Sequence, residues 1–302
     1  MPSRLSDLVS SVTWLVTGGS GQVACALAGH GVHVVGRPEF DFDRPEAIEP
    51  IFHAVAPELV INAAAYTAVD AAESNEIAAL RANRDGPAIL ARLCALAEIP
   101  LIHLSTDYVF DGHKGAPYLE TDPVGPLGIY GRSKLDGEQM VMAACPRAII
   151  LRTSWVYAAT GKNFVRTMLS AATKTDRLRV VADQQGCPTS ADDLASAILA
   201  IATRITRAGW KDSFAGIFHA AGTGATTWHG FATAIFAEAA KHGMSPPTVA
   251  PITTAEWPTP ARRQMDSRLD CTKLKAVFGL CLPPWQDSLA RVVETIFATR
   301  GR

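Results

Sequence analysis

The feature that most limits what this chain can become is a rhythm. From Val12 to about Tyr157, compact β-branched runs alternate with longer helical stretches. Strands separated by helices must cross over to lie parallel, and a parallel sheet needs helices on both of its faces. Strands are expected at 12–17, 32–36, 59–62, 101–105 and 148–152. Helices are expected at 22–30, 45–55, 71–80 continuing past Asn83, and 131–143. After Tyr157 the units shorten: a helix near 164–172, a strand at 178–182, helices near 192–205 and 227–241, and then Pro246, Pro247, Pro251, Pro258 and Pro260. The chain therefore reads as α/β, a doubly wound parallel sheet over 12–156 with a smaller C-terminal α/β substrate domain over 157–302. Some segments of the second are expected to return to the first. The cleft between them is the natural ligand site. Residues 1–11 are read as a short helix or a loose tail without chemistry.

Bulk properties narrow the partners. With 28 Lys and Arg against 29 Asp and Glu, nothing pulls the whole molecule toward nucleic acid or an anionic membrane, so a phosphate-bearing ligand must be held locally. The six cysteines include no C-x-x-C pair and no metal-ligand spacing with histidine, so they read as reduced, mostly buried thiols and no metal is expected. No apolar run reaches the roughly 18 residues of a spanning helix, and no signal peptide is visible. The expectation is a cytoplasmic protein.

Between the first strand and its helix stands Thr17-Gly-Gly-Ser-Gly-Gln-Val-Ala24. Glycines there allow a tight turn and let backbone N–H groups approach a pyrophosphate at the helix start, the mark of a Rossmann-type dinucleotide site. Gly18 and Gly21 are its fixed points, with Ala24 at the close helix–strand contact. Arg37 follows the second strand where an acidic residue would receive the ribose hydroxyl of NAD, and an arginine suits a 2′-phosphate. NADPH is favoured, with NADH also allowed. Farther on, Tyr130 and Lys134 are four residues apart near the start of a helix, so both side chains share one face. A nearby ammonium is expected to draw the tyrosine pKa below its usual value near 10 and fit it for proton exchange with a carbonyl or alkoxide. Thr106 ends a strand on the ligand side of the sheet and can hydrogen-bond the reacting oxygen.

With these residues in place the chain resembles the extended short-chain dehydrogenase/reductases and, within them, the dTDP-4-dehydrorhamnose reductases. The resemblance runs from about Val12 over nearly the whole chain. It rests on Asn62-Ala-Ala-Ala-Tyr-Thr-Ala-Val-Asp70, Ser105-Thr-Asp-Tyr-Val-Phe110, Arg152-Thr-Ser-Trp-Val-Tyr157, Asn163-Phe164, Gly186-Cys-Pro-Thr189 and Pro258-Thr-Pro-Ala-Arg262. It implies NADPH-dependent reduction of dTDP-6-deoxy-L-lyxo-4-hexulose to dTDP-L-rhamnose by a monomer or homodimer. It also implies roles: Tyr130 as proton donor, Lys134 as its partner, Thr106 as helper, Asp107 and Trp155 as substrate contacts. Gly21, Gln22 and Val23 match its pyrophosphate turn, Asp41 and Phe42 its adenine pair, and Ala65, Tyr66 and Thr67 the stretch along the middle of the cofactor. Ala26 and Thr295 stand where the resemblance would put the glutamates of a metal-bridged dimer, which argues against one.

Arg262 and Arg263 are proposed from charge alone to hold the diphosphate of the nucleotide sugar. Two other functions suit the same residues: a sugar epimerase or dehydratase that regenerates its cofactor, and a non-catalytic NADP-binding regulatory subunit. Net oxidation of NADPH with the keto-sugar separates them.

Overall fold

The protein is described by a computed structural model over residues 13–300. The readings for residues 1–11 and for Val12 lie outside the described residues. Six strands form one sheet: β1 (Trp14–Thr17), β2 (His33–Val35), β3 (Leu59–Asn62), β4 (Leu101–Thr106), β5 (Ala148–Thr153) and β6 (Gly216–His219). Every neighbour is parallel, in the order β6-β5-β4-β3-β1-β2. The chain winds outward from β1 to β2, returns to β3 on the other side and continues to β6. The winding reverses between β1 and β3, and the crevice beyond the carboxyl ends of those strands is where such sheets bind ligands.

The strands are nearly all apolar because both faces are covered. Val16, Ile61, Ile102, Ile149 and Leu151 belong to one core and Leu15, Val60, Leu101 and Ile150 to the other. Helix α1 (Gln22–Ala28) packs on the first face. The second is covered by α2 (Ile48–Val55) and, after the short α3 (Val69–Ala72) and α4 (Glu76–Leu80), by α5 (Gly86–Leu96) and α6 (Ile129–Ala144). Past β5, α7 (Phe164–Ala171) begins a smaller unit, and α8 (Ala191–Ala208) returns to lie against α1. The smaller unit packs α7, α9 (Trp228–Ala240) and, beyond α10 (Thr272–Phe278), α11 (Trp285–Arg300) around Phe231, Ile235, Leu289 and Val293. A parallel strand pair, Arg177–Val181 with Thr248–Ile252, extends it. Among the described residues no helix is long and apolar enough to cross a membrane.

The sequence reading had no strand at Gly216–His219, and a second difference lies after α2. The Ala-rich stretch expected to be a continuous helix is interrupted after α3 and contains a π-helical turn at Arg81–Asp85 between α4 and α5. Wide turns of this kind recur at functional sites. Here the turn carries the fully buried Asn83, whose side chain bonds the backbone of Tyr66 on both its N–H and its carbonyl, and the Ser133 hydroxyl of α6.

Helix α6 lies unusually close to this turn. A Cβ on Gly137 would overlap the Asn83 carbonyl oxygen, and one on Gly131 would overlap that of Tyr108. Gly to Ala inside a helix ordinarily gains about 1 kcal/mol. At position 137 the obstacle is backbone, so Gly137→Ala should instead destabilise the protein by about 1–3 kcal/mol. Denaturant unfolding checks this; a more stable variant would mean that α6 has room to spare.

Candidate active site

A cleft of about 750 Å³ opens at the carboxyl ends of the strands. Gly18, Gly21, Gln22, Val23, Arg37, Asp41, Phe42, Ala65, Tyr66, Thr67, Thr106, Asp107, Tyr130, Lys134 and Trp155 all line it, and Arg262 and Arg263 do not.

At one end the glycine turn approaches other backbone very closely. Gly18 (φ 112°) and Gly19 (φ 46°) hold backbone angles that side chains rarely adopt. A Cβ on Gly18 would sit 2.9 Å from the carbonyl carbon of Ala63, and one on Gly36 would meet the backbone of Gly19. Gly21 closes the turn with an N–H bond to the Gly18 carbonyl (2.8 Å) and caps α1. Ala24 is fully buried at the helix–strand contact. This is a backbone cradle with room for a phosphate bridge. Beside it Arg37 donates to Asp41 Oδ1 (3.0 Å) and to Asp43 Oδ2 (2.7 Å), with its own side chain 66% exposed. Two carboxylates already hold the guanidinium that was expected to meet a phosphate.

At the other end Tyr130, Lys134, Thr106 and Asp107 come together. Burial pushes the Tyr130 phenol up to about 12 and nearby Asp107 adds to the rise, while a hydrogen bond with Thr106 pulls the other way. Lys134 is drawn down to about 8 by burial, against the opposing charge of Glu138. The expected lowering of the Tyr130 pKa by Lys134 is not found. Lys134 exerts no resolved pull on the phenol, and its ammonium donates to the Leu104 carbonyl (2.6 Å). Tyr130 is therefore held as a phenol, the form that can give a proton. Thr106 donates to Asp107 Oδ1 (3.0 Å) and accepts from the Tyr108 N–H (3.2 Å), which fixes its hydroxyl. Asp107 is pushed up to about 6, first by burial, with the hydrogen bond from Thr106 opposing, and its Oδ2 is buried without a hydrogen-bond partner.

Trp155 holds a left-handed backbone (φ 47°) and stacks face to face on Trp228, ring centres 3.5 Å apart. Gly186 lies under the same ring, where a Cβ would overlap it. Arg263 pairs with Asp70 (2.8 Å), and its guanidinium lies 6.0 Å from the Tyr108 ring centre; Arg262 is exposed. Sequence reasoning missed Asn83, Trp228 and Thr153. The Thr153 hydroxyl lines the cleft, buried and without a hydrogen-bond partner, an arrangement a bound ligand would satisfy. It ends β5, paired in register with Thr106, and its place in the Arg152-to-Tyr157 motif, just after the expected strand, is the signal that could have found it.

Comparison with known proteins follows the same lines. The family model described as the RmlD substrate binding domain matches residues 12–297. A dTDP-4-dehydrorhamnose reductase from Sinorhizobium fredii is 47% identical over 92% of this chain and 95% of its own length. The crystal structure of a dTDP-4-dehydrorhamnose reductase from Clostridium acetobutylicum superposes with a TM-score of 0.85 at 35% identity, covering 93% of this chain and 98% of that one. The enzyme of the same name from Bacillus anthracis, crystallised in complex with NADP, gives a TM-score of 0.86 at 30% identity, covering 93% and 98%.

The buried Asp107 yields a stability test. Its folded pKa lies above the unfolded value, so the folded state binds the proton more tightly, and ionising the carboxylate weakens folding as pH rises from about 4 to 6. Asp107→Asn removes that cost. The variant should be more stable than the parent by up to about 3 kcal/mol above pH 7, and the advantage should vanish near pH 4. Denaturant midpoints measured across that range would refute the assignment if the difference did not change with pH.

Proposed function

This chain belongs to the RmlD substrate binding domain family, the dTDP-4-dehydrorhamnose reductases, and on that premise we propose that it reduces dTDP-6-deoxy-L-lyxo-4-hexulose to dTDP-L-rhamnose with NADPH in the cytoplasm. One observation carries the reading: the half-buried Tyr130 phenol and the Thr106 hydroxyl stand in the same cleft as the glycine cradle. The cradle of Gly18, Gly19 and Gly21 lines the cleft and fits a dinucleotide, because a Cβ at Gly18 or Gly19 would press on the backbone of Ala63 or Gly36 and break the tight turn. Phe42 and Asp41 flank its adenosine end and Ala65, Tyr66 and Thr67 its middle. When bound, NADPH supplies the hydride that the carbonyl carbon accepts.

The chain's own part is the proton and the posture of the sugar. As the carbonyl oxygen gains negative charge, Tyr130 gives it the phenolic proton, and the Thr106 hydroxyl, which donates to Asp107 in the free protein, turns its one hydrogen to the same oxygen. The phenol enters the reaction protonated at neutral pH, as a proton donor must. Trp155, held by Gly186 and Trp228, lines the cleft as an apolar contact for a deoxysugar, and Asp107 offers an acceptor for its hydroxyls. The pairing of Arg37 with two carboxylates leaves NADH as a second cofactor to compare.

Tyr130→Phe keeps the ring and its packing and removes the proton, so kcat should fall by roughly 10²-fold or more. Stopped-time assays of NADPH oxidation with the keto-sugar check this; near-full activity would place the acid elsewhere. The same assay separates the reductase from an epimerase or a regulatory subunit, neither of which oxidises NADPH on balance. Arg37→Ala should raise KM for NADPH by about tenfold, the loss of one charge-assisted bond, and leave that for NADH nearly unchanged. Equal changes for both cofactors would remove Arg37 from the phosphate site.

A further inference from the structure

Behind Lys134 a chain of buried polar groups runs across three strands, and its hydrogens can be assigned. Thr17 on β1, Asn62 on β3 and His103 on β4 are all fully buried. The backbone N–H of Ala64, which can only donate, meets Asn62 Oδ1 at 3.1 Å, and the Thr17 hydroxyl donates to the same oxygen at 2.6 Å. The other end of the Asn62 amide is therefore its NH₂, and it donates to His103 Nδ1 at 2.9 Å. An Nδ1 that accepts bears no hydrogen, so the neutral ring carries its hydrogen on Nε2. Burial and the neighbouring Lys134 charge hold the ring neutral.

That Nε2 lies 3.4 Å from Lys134 Nζ. A donor faces a donor. The ammonium gives one hydrogen to the Leu104 carbonyl at 2.6 Å, and the ring beside it offers no lone pair for a second. We propose that His103 is a positioning residue: locked as the Nε2–H tautomer by Thr17 and Asn62, it withholds an acceptor from Lys134, so the remaining hydrogens of the ammonium stay available to the cleft. With the opposite tautomer, Nε2 would accept one of them and turn the ammonium away from the reactants. The inference rests on the reductase reading for its effect on turnover, while the tautomer is a property of the protein alone.

The test has two arms. In ligand-free protein labelled with ¹⁵N-histidine, long-range ¹H–¹⁵N spectra distinguish the two tautomers, and the His103 signals are identified by their loss in His103→Gln. The expected result is a bare Nδ1 and a protonated Nε2 between about pH 6 and 8. A hydrogen on Nδ1 overturns the proposal. In the second arm His103→Glu offers a carboxylate to Lys134, and kcat should fall roughly 10- to 100-fold, the effect of a displaced catalytic group. KM for the keto-sugar should stay within about threefold, since ground-state binding is untouched. His103→Gln keeps an acceptor for Asn62 and an N–H toward Lys134, and should recover most of the loss. Equal impairment of the two variants, or full kcat in His103→Glu, overturns the proposal. If the glutamate variant does not fold, the spectra and the His103→Gln rate decide between the outcomes. Failure of the reductase reading shows separately, as wild-type protein that does not oxidise NADPH with the keto-sugar.

Discussion

The reactive end of the cleft depends on how α6 is fastened to the sheet, and a buried ion pair does the fastening. Glu138 of α6 accepts from Arg152 of β5 through Oε1 (2.9 Å) and Oε2 (2.6 Å), and from the Ser105 hydroxyl of β4 (2.5 Å). Both charged side chains are 2% exposed, and the guanidinium also lies over the Phe110 ring. Removing one partner of such a pair leaves a charge stranded in the interior, which costs about 3–5 kcal/mol. Tyr130, Lys134 and Glu138 follow one another at four-residue spacing, so the anchor and the reactive groups share a single helix face. The ion pair therefore sets the distance at which the phenol and ammonium meet the end of β4. Gly131 and Gly137 let the helix come that near.

Close fastening has an electrostatic consequence. Packed close to the sheet, both titratable groups shift toward their neutral forms, Tyr130 upward and Lys134 downward. Open, wet placement would leave the tyrosine nearer its ordinary range and allow water to compete for the reacting oxygen. Trp155 meets the same constraint from the opposite wall. Its left-handed backbone costs on the order of 1–3 kcal/mol, and the stack on Trp228 with Gly186 beneath keeps the ring where that strain puts it.

What was legible in the sequence is what local chemistry dictates. The glycine turn could be read because only glycine tolerates the angles at Gly18 and Gly19, and the Tyr130–Lys134 pair because helical periodicity alone aligns the two. The sheet was legible from apolar runs too continuous for a one-sided strand. What could not be read depends on partners far along the chain. Asn83 acts across 17 residues to Tyr66 and 50 to Ser133, and no periodicity marks a π turn inside an alanine-rich stretch. Strand β6 is four residues long and joins the sheet through β5 alone, so its own sequence carries little signal. The direction of the Lys134 ammonium likewise follows from the Leu104 carbonyl, a backbone group that side-chain motifs do not report.

The proline–arginine segment shows how a correct motif can carry a different physical task from the one its charge suggests. Asp70 at the start of α3 accepts from the Ala261 N–H (3.2 Å) and from the Arg263 guanidinium (2.8 Å). The next residue, Gln264, donates to the carbonyls of Asp107 (2.9 Å) and Phe110 (3.0 Å). Residues 261–264 thus tie the smaller unit to α3 and to the turn that carries Thr106 and Asp107. A second tie runs from Asn163 to Gln22 beside the glycine turn (3.0 Å). The cleft is bridged at both ends, at the nucleotide cradle and at the reactive oxygen, by side chains from the second half of the chain. Arg263, proposed from its charge to hold a phosphate, is in the free protein part of the brace between α3 and the smaller unit.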